Sequence, residues 1–182
     1  ETQNSQMPMQ LRFYYNSSAQ STNYGYGLGF SLGYEMRYHI NEIGGVVIET
    51  GDGRTDTFKK FGKEFEAPAG VFSKVEEYES GKYRLTEKSG EQYFFDDAKY
   101  GKVTAMTDRN GNKTTFTYQD SLLVKVQDAV GHTLNFSYTD GLLRTATASF
   151  HKGSISYEYD GLRRLKKRTD ALGNSKQIEI QR

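Results

Sequence analysis

Short stretches of strict alternation, cut by glycine-containing turns, run through most of the chain. Phe116 and Tyr118 are spaced by two, as are Phe136 with Tyr138 and Tyr157 with Tyr159. That spacing puts both rings of each pair on one face of a strand. Leu122, Val124 and Val126 alternate with Leu123, Lys125 and Gln127, which predicts a half-buried strand. Tyr83 to Thr86 and Tyr93 to Phe95 are strand-like runs, bounded by Ser80-Gly81, Ser89-Gly90 and Gly101. Leu11 to Tyr15 and Met36 to Ile40 are further strand candidates, on either side of the polar loop Asn16 to Asn23 and a glycine-rich run. Strong helix formers cluster at helical spacing nowhere, so no amphipathic helix is expected.

The alternation repeats. A slide of 20 residues carries Asp108-Arg109-Asn110-Gly111 onto Asp128-Ala129-Val130-Gly131, Phe116 onto Phe136 and Tyr118 onto Tyr138. A slide of 21 then carries Phe136 and Tyr138 onto Tyr157 and Tyr159. Asp170-Ala171-Leu172-Gly173 opens another copy, with Ile178 and Ile180 in the ring positions. The spacing from Gly to ring recurs upstream, in Gly53 with Phe58 and Gly90 with Phe95. In Asp-x-x-Gly the aspartate bonds nearby amides and the glycine supplies a positive φ. Asp140-Gly141 and Asp160-Gly161 read as tight hairpin turns. One unit is thus one β-hairpin, and successive hairpins lay Phe and Tyr in rows. Cross-strand ring pairs in such rows contribute roughly 0.2–1 kcal/mol each. The expected fold is all-β: a curved antiparallel sheet of successive hairpins over 46–182, with an N-terminal strand-rich cap over 1–45. Asp108, Gly111, Phe116, Tyr118, Asp128, Gly131, Phe136, Tyr138, Tyr157, Tyr159, Asp160, Gly161, Asp170 and Gly173 are its structural repeat residues.

Composition narrows the function. The 182 residues carry 24 Lys+Arg against 23 Asp+Glu, a net charge of +1 that implies no nucleic-acid partner. Mean hydropathy is only −0.77, yet 14% of residues are aromatic, which a chain without a core would not carry. There is no cysteine, hence no disulfide and no thiolate chemistry. No apolar run approaches the roughly 20 residues that span a membrane.

No catalytic constellation emerges, and no cofactor is expected. Gly25 to Gly29 lacks the following helix that a phosphate cradle needs, so close strand approach or a bulge explains it. Asp108 to Asn112 resembles part of a calcium loop, but the repeat places Ala129 and Val130 at equivalent positions, and the bidentate Glu is missing. His39, His132 and His151 are isolated from one another in sequence. Asp96 with Asp97, and Glu76, Glu77 and Glu79, read as solvated edges. The densest basic cluster is Arg163, Arg164, Lys166, Lys167 and Arg168, a candidate site for a polyanion. From Glu49 to Asp97 there are 12 acids against 8 bases, and from His151 to Arg182 there are 8 bases against 4 acids.

Tyr159-Asp160-Gly161-Leu162-Arg163-Arg164-Leu165, followed by Thr169-Asp170-Ala171-Leu172-Gly173-Asn174, resembles the tyrosine-aspartate (YD) repeat of the rearrangement hotspot, or Rhs, family. Thr107 to Tyr118 is similar to it as well. Phe13 to Ser17 and Gly27 to Leu32 resemble the segment that opens the array in many bacterial members, with Phe30 where they usually carry tryptophan. The resemblance covers roughly 10–182. It implies a spiralling β-sheet that wraps into a hollow shell, around a C-terminal toxin in bacterial members and the insecticidal toxin complexes, or serving adhesion in the animal teneurins. It implies a secreted or cell-envelope location, with a cytoplasmic stage before export. The family's Asp-Pro-x-Gly autoproteolytic signature is not in this sequence. The expected role is a non-catalytic structural segment, an opening piece of a shell or a short member with few repeats. Its partners would be further repeats or a second copy at open sheet edges, and a toxin payload. The alternative is a surface module that binds glycan or polyanion through exposed rings and the basic cluster.

Overall fold

The computed structural model describes residues 9–178. Ile180, the last predicted ring position, lies outside them. The fold is all-β, built from antiparallel sheets of successive hairpins. β1 (Phe13–Tyr15) and β2 (Phe30–Leu32) form a two-stranded ribbon. β3 (Arg37–Ile40), β4 (Val46–Glu49), β5 (Thr55–Phe61) and β6 (Glu64–Glu66) form a four-stranded sheet in chain order. An eleven-stranded sheet follows, also strictly in chain order. It opens with β7 (Lys74–Glu79), β8 (Lys82–Thr86), β9 (Gln92–Phe95) and β10 (Ala105–Thr107). Three long hairpin strands follow: β11 (Lys113–Gln119), β12 (Leu122–Gln127) and β13 (Thr133–Thr139). It ends with β14 (Leu142–Ala148), β15 (Ser154–Tyr159), β16 (Leu165–Thr169) and β17 (Ser175–Gln177). The sequence break predicted between 45 and 46 falls in the β3–β4 hairpin; the sheets divide between β2 and β3 and between β6 and β7.

One turn recurs through the molecule. The first residue's N–H donates to the carbonyl of the fifth, and the fourth residue's N–H donates back to the carbonyl of the first. It occurs at Asn41–Gly45, Thr50–Arg54, Glu87–Glu91, Asp108–Asn112, Asp128–His132, Asp160–Arg164 and Asp170–Asn174. The fourth residue takes a positive φ, which favours glycine: 83° at Gly111, 90° at Gly131 and 86° at Gly173. This corrects one sequence expectation. Asp160-Gly161 is not a tight two-residue hairpin turn like Asp140-Gly141, whose φ values are 53° and 70°. Asp160 opens the five-residue turn instead, and the positive φ falls on Arg163, at 63°.

A bulge recurs as well. Thr117 pairs with Lys125 but Tyr118 with Leu123, which leaves Val124 as an extra residue. Arg144 and Lys166 are extra in the same way opposite Ser137/Tyr138 and Glu158/Tyr159. A bulge breaks the period of two. The predicted alternation of Leu122, Val124 and Val126 is therefore overturned. The fully buried residues of β12 are Leu123 and Val126, three apart, on the face that carries Phe116 and Tyr118.

The ring rows differ from expectation too. Phe116, Phe136 and Tyr157 are buried on one face, but their cross-strand neighbours on the following strand are Val126, Ala146 and Arg168. From β11 to β16 the rings come from every second strand, so they do not pair with one another, whereas Tyr83 of β8 pairs directly with Phe95 of β9. They meet rings of the N-terminal segment instead: Tyr34 lies 5.8 Å from Phe116, Tyr26 6.4 Å from Tyr138 and Phe13 5.4 Å from Tyr157, between centroids. Tyr38 of β3 extends the contact to Tyr83 and Phe95, at 4.7 and 5.6 Å. The core is thus a seam between the array and the segment before it. Truncating Phe116 or Phe136 to Ala should destabilise by about 3–5 kcal/mol, the usual cost for a buried ring. Urea unfolding of the two variants measures it, and an unchanged midpoint would refute the packing role.

Candidate functional site

The N-terminal segment lies on the inward face of the array, and glycine makes the approach possible. The carbonyl of Gly25, a residue at φ 100°, accepts from the Leu143 N–H at 2.7 Å. A Cβ there would stand 2.8 Å from the Leu122 side chain. At Gly27 a Cβ would come within 3.1 Å of the Leu165 backbone nitrogen, and the neighbouring Leu28 N–H donates to the Arg163 carbonyl. Close backbone approach is thus the use of this run; it faces strands rather than a helix N-terminus.

Beneath the run sits a buried polar cluster that sequence patterns did not reveal. The Lys102 ammonium lies 2.5 Å from Glu35 Oε2, with both side chains 6–7% exposed. Tyr26, fully buried, donates its hydroxyl to Glu35 Oε1 at 3.1 Å. Burial, followed by the nearby Glu35 charge, pushes the Tyr26 phenol well above its ordinary pKa. The Tyr118 ring lies 5.9 Å from the Lys102 ammonium, and the Tyr118 hydroxyl is buried without a partner among the described residues. Tyr138 donates to the Leu123 carbonyl at 2.8 Å. Glu35 and Lys102 are 67 residues apart and each looks like an ordinary surface residue in sequence, so nothing local could have paired them. The pair fastens the N-terminal segment to the array at one position.

Glu35 also reaches a cleft of about 220 Å³ between Asn16, Tyr24, Ser31 and the β4–β5 turn. Its charges are internally matched: Arg37 pairs with Glu49 at 2.5 Å and stacks on the Tyr24 ring at 4.2 Å.

The repeat aspartates hold the turns. Asp108 Oδ1 accepts from the N–H groups of Asn110 and Asn112 at 2.8 and 2.9 Å. Asp128, Asp160 and Asp170 each accept from the same two positions. The second oxygen takes a side chain four residues on: Asn112, His132, Arg164 or Asn174. This fifth position is a donor in every one of these four turns, a regularity present in the sequence but not picked out there. Both oxygens of Asp108 are therefore occupied by donors, which is a turn and not a cation cage. No cluster of three His, Asp or Glu suited to a metal exists among the described residues. Gly161 holds no positive φ, so its slot in the repeat is filled by Arg163.

The basic cluster divides rather than forming one surface. Arg163 donates to the Asp140 carbonyl at 2.7 Å, Arg164 pairs with Asp160 at 2.6 Å and Lys167 with Glu158 at 3.0 Å. Lys166 is the exposed bulge residue, and Arg168 faces inward opposite Tyr157. Of the other carboxylates, Glu76 pairs with Arg84 and Glu79 with Lys82. Asp97 accepts from the Lys99 and Tyr100 N–H groups, and Asp96 from the Thr104 hydroxyl, both just beyond the end of β9. His39 stands beside Glu49 and His132 on Asp128, while His151 lies in the β14–β15 turn.

No protein-family model matches the chain, and no curated protein matches its sequence.

Two expectations follow. Removing one member of the Lys102–Glu35 pair strands a buried charge, which costs about 3–5 kcal/mol. Lys102→Met or Glu35→Leu should each lower stability by that order in urea titrations. The double variant, with neither charge, should recover most of it, and a double variant as unstable as the singles would refute the coupling. The second concerns acid. The side chain at the fifth turn position, above all, and then backbone N–H groups hold Asp108, Asp160 and Asp170 below the ordinary carboxylate pKa. A folded-state pKa below the unfolded one means that the unfolded chain binds more protons. The stabilisation is therefore complete above about pH 4 and is lost as pH falls through the lowered values. Asn41 performs the same bonding without charge, accepting from the Ile43 and Gly45 N–H groups. The triple variant Asp108→Asn, Asp160→Asn, Asp170→Asn should show a shallower fall of melting temperature below pH 4 than wild type; parallel curves would refute it.

Proposed function

We propose that the chain is a non-catalytic structural segment, the opening part of a YD-repeat array that contributes to a shell around a toxin or to a surface scaffold. The reading places it outside the cell or in the cell envelope. One observation carries the proposal: eleven strands add in chain order, with an Asp-anchored five-residue turn at four of the connections between β10 and β17 and the same bulge after each of the three ring pairs. Such an arrangement extends by addition of another hairpin without altering those before it. The N-terminal segment covers the inward face from β11 to β16, and among the described residues the outer edge of β17 stays unpaired, where a further hairpin could add. The sorting of Arg163, Arg164 and Lys167 into internal bonds weighs against a polyanion surface, which would need those charges in water.

The edge is β17. Ser175, Lys176 and Gln177 are exposed, and among the described residues the strand pairs only with β16. Ile178 donates its N–H inward to Lys166, so by alternation the Gln177 N–H points to the open side. Open edges recruit strands, from further repeats or from a second copy. Light scattering over a rising concentration series should show growth toward a dimer. Gln177→Pro removes the outward donor without breaking the ladder to β16, and should hold the chain monomeric at an unchanged melting temperature. A strictly monomeric wild type at high concentration would refute edge pairing between copies.

A further inference from the structure

The repeat lapses in β14. Opposite the ring Phe116 stands Val126, but opposite Phe136 stands Ala146. Two residues further on, Ala148 holds the position that Asp128 holds one copy earlier, so the turn loses its anchor. That turn also lengthens: six residues, Ala148 to Gly153, join Thr147 to its partner Ser154, where five join Gln127 to Thr133. Ala146 and Ala148 both face inward, opposite Phe136 and Leu134. Two short side chains in succession leave the inward face of this strand low.

Both alanines line a groove of about 510 Å³. Met9 and Leu11 of the N-terminal segment form one wall, and Leu134 and Ile155 flank the alanine floor. Phe150, from the lengthened turn, and Leu172, 88% exposed, stand at the rim. The turns at this end are pressed together, since a Cβ on Gly153 would stand 2.9 Å from the Ala171 side chain. Besides His151, the charged side chains that border the groove are Arg168 and Asp170, and their charges cancel. Arg168 lies close to the Asp170 carboxylate and to the Tyr157 hydroxyl. Asp170 accepts in addition from the Leu172 and Asn174 N–H groups. No charge there calls for a counter-ion, whereas the apolar walls remain open to water. The size falls within the range of small-molecule sites, which are lined mainly by apolar side chains.

We propose that this groove binds a small, uncharged, mainly aliphatic ligand, lying on the Ala146–Ala148 floor between Leu11 and Ile155. The missing aliphatic branch at 146, the missing anchor at 148 and the added turn residue all fall at this one place, and together they open apolar space that a plain copy of the repeat would not have. A charged ligand would upset the balance of Arg168 with Asp170 and lose its own hydration on an apolar floor. The inference goes beyond the structural role and does not depend on it.

Isothermal titration of the full chain with hexanol, octanol and decanol tests the site, with octanoate and octylammonium as charged controls of equal chain length. Saturable one-to-one binding is expected for octanol, tightening about three- to fourfold with each added methylene, the weight of a buried CH₂ group. Each charged control should bind at least about tenfold more weakly, because its charge must leave water. Ala148→Leu fills the floor. It should weaken octanol binding at least about tenfold, at an unchanged or raised melting temperature, as cavity-filling changes do. Leu172→Ser, at an exposed turn position, should weaken binding several-fold and leave melting unchanged, so it decides the matter if Ala148→Leu does not fold. Absence of saturable binding, an affinity independent of chain length, a charged control that binds as tightly as octanol, or wild-type affinity in either variant would overturn the proposal.

Discussion

A sheet made only of successive hairpins has one face that must be kept from water, and no second sheet of its own to cover it. That constraint governs this molecule. Each hairpin puts two rings inward, and the bulge after them swings Leu123, Leu143 or Leu165 to the same side. The apolar face that results is too large to leave exposed. The N-terminal segment is the covering layer, and its rings, its glycines and Glu35 are all spent on that contact. The turns, by contrast, are self-sufficient: each aspartate satisfies the amides of its own loop, so the hairpins need no neighbour to set their ends.

This division between self-contained turns and a shared core explains what could be read in the chain beforehand. Asp108, Asp128 and Asp170 act within five residues, so their roles were visible as a motif. The strand positions of Phe116, Phe136 and Tyr157 followed from a period of two. The bulge was not legible, because Leu122-Leu123-Val124-Lys125-Val126 reads as unbroken alternation and the extra residue is set by pairing with β11. Asp160 was misread for a related reason. Asp-Gly is a strong local signal for a tight turn, and only the bonding of Asp160 to Arg164 shows that the longer turn wins, with Arg163 strained at positive φ. The covering contact was the least legible of all. The Lys102–Glu35 pair and the ring contacts of Phe13, Tyr26 and Tyr34 depend on residues far apart in sequence, and no local pattern encodes such a meeting.

The polar groups beneath the covering segment bear on specificity. A purely apolar contact between a glycine-rich strip and a ribbed sheet could slide by one hairpin, because the ribs are alike. A buried cation that must find one carboxylate removes that freedom, the use of buried ion pairs with the best support. Lys102 lies before the first long hairpin and has no counterpart in the later repeats, so it marks a single docking position.

The distance along the chain between contacting rings also sets a timetable. Tyr157 is made 144 residues after its partner Phe13. Tyr26 likewise waits for Tyr138. During synthesis the leading segment therefore has nothing to settle on, while the earliest hairpins can already close through their own turns. Contacts of such long range form slowly even in the finished chain. Until those later hairpins emerge, Phe13 and Tyr26 stay in water, a stage at which a chaperone would have its greatest effect on yield.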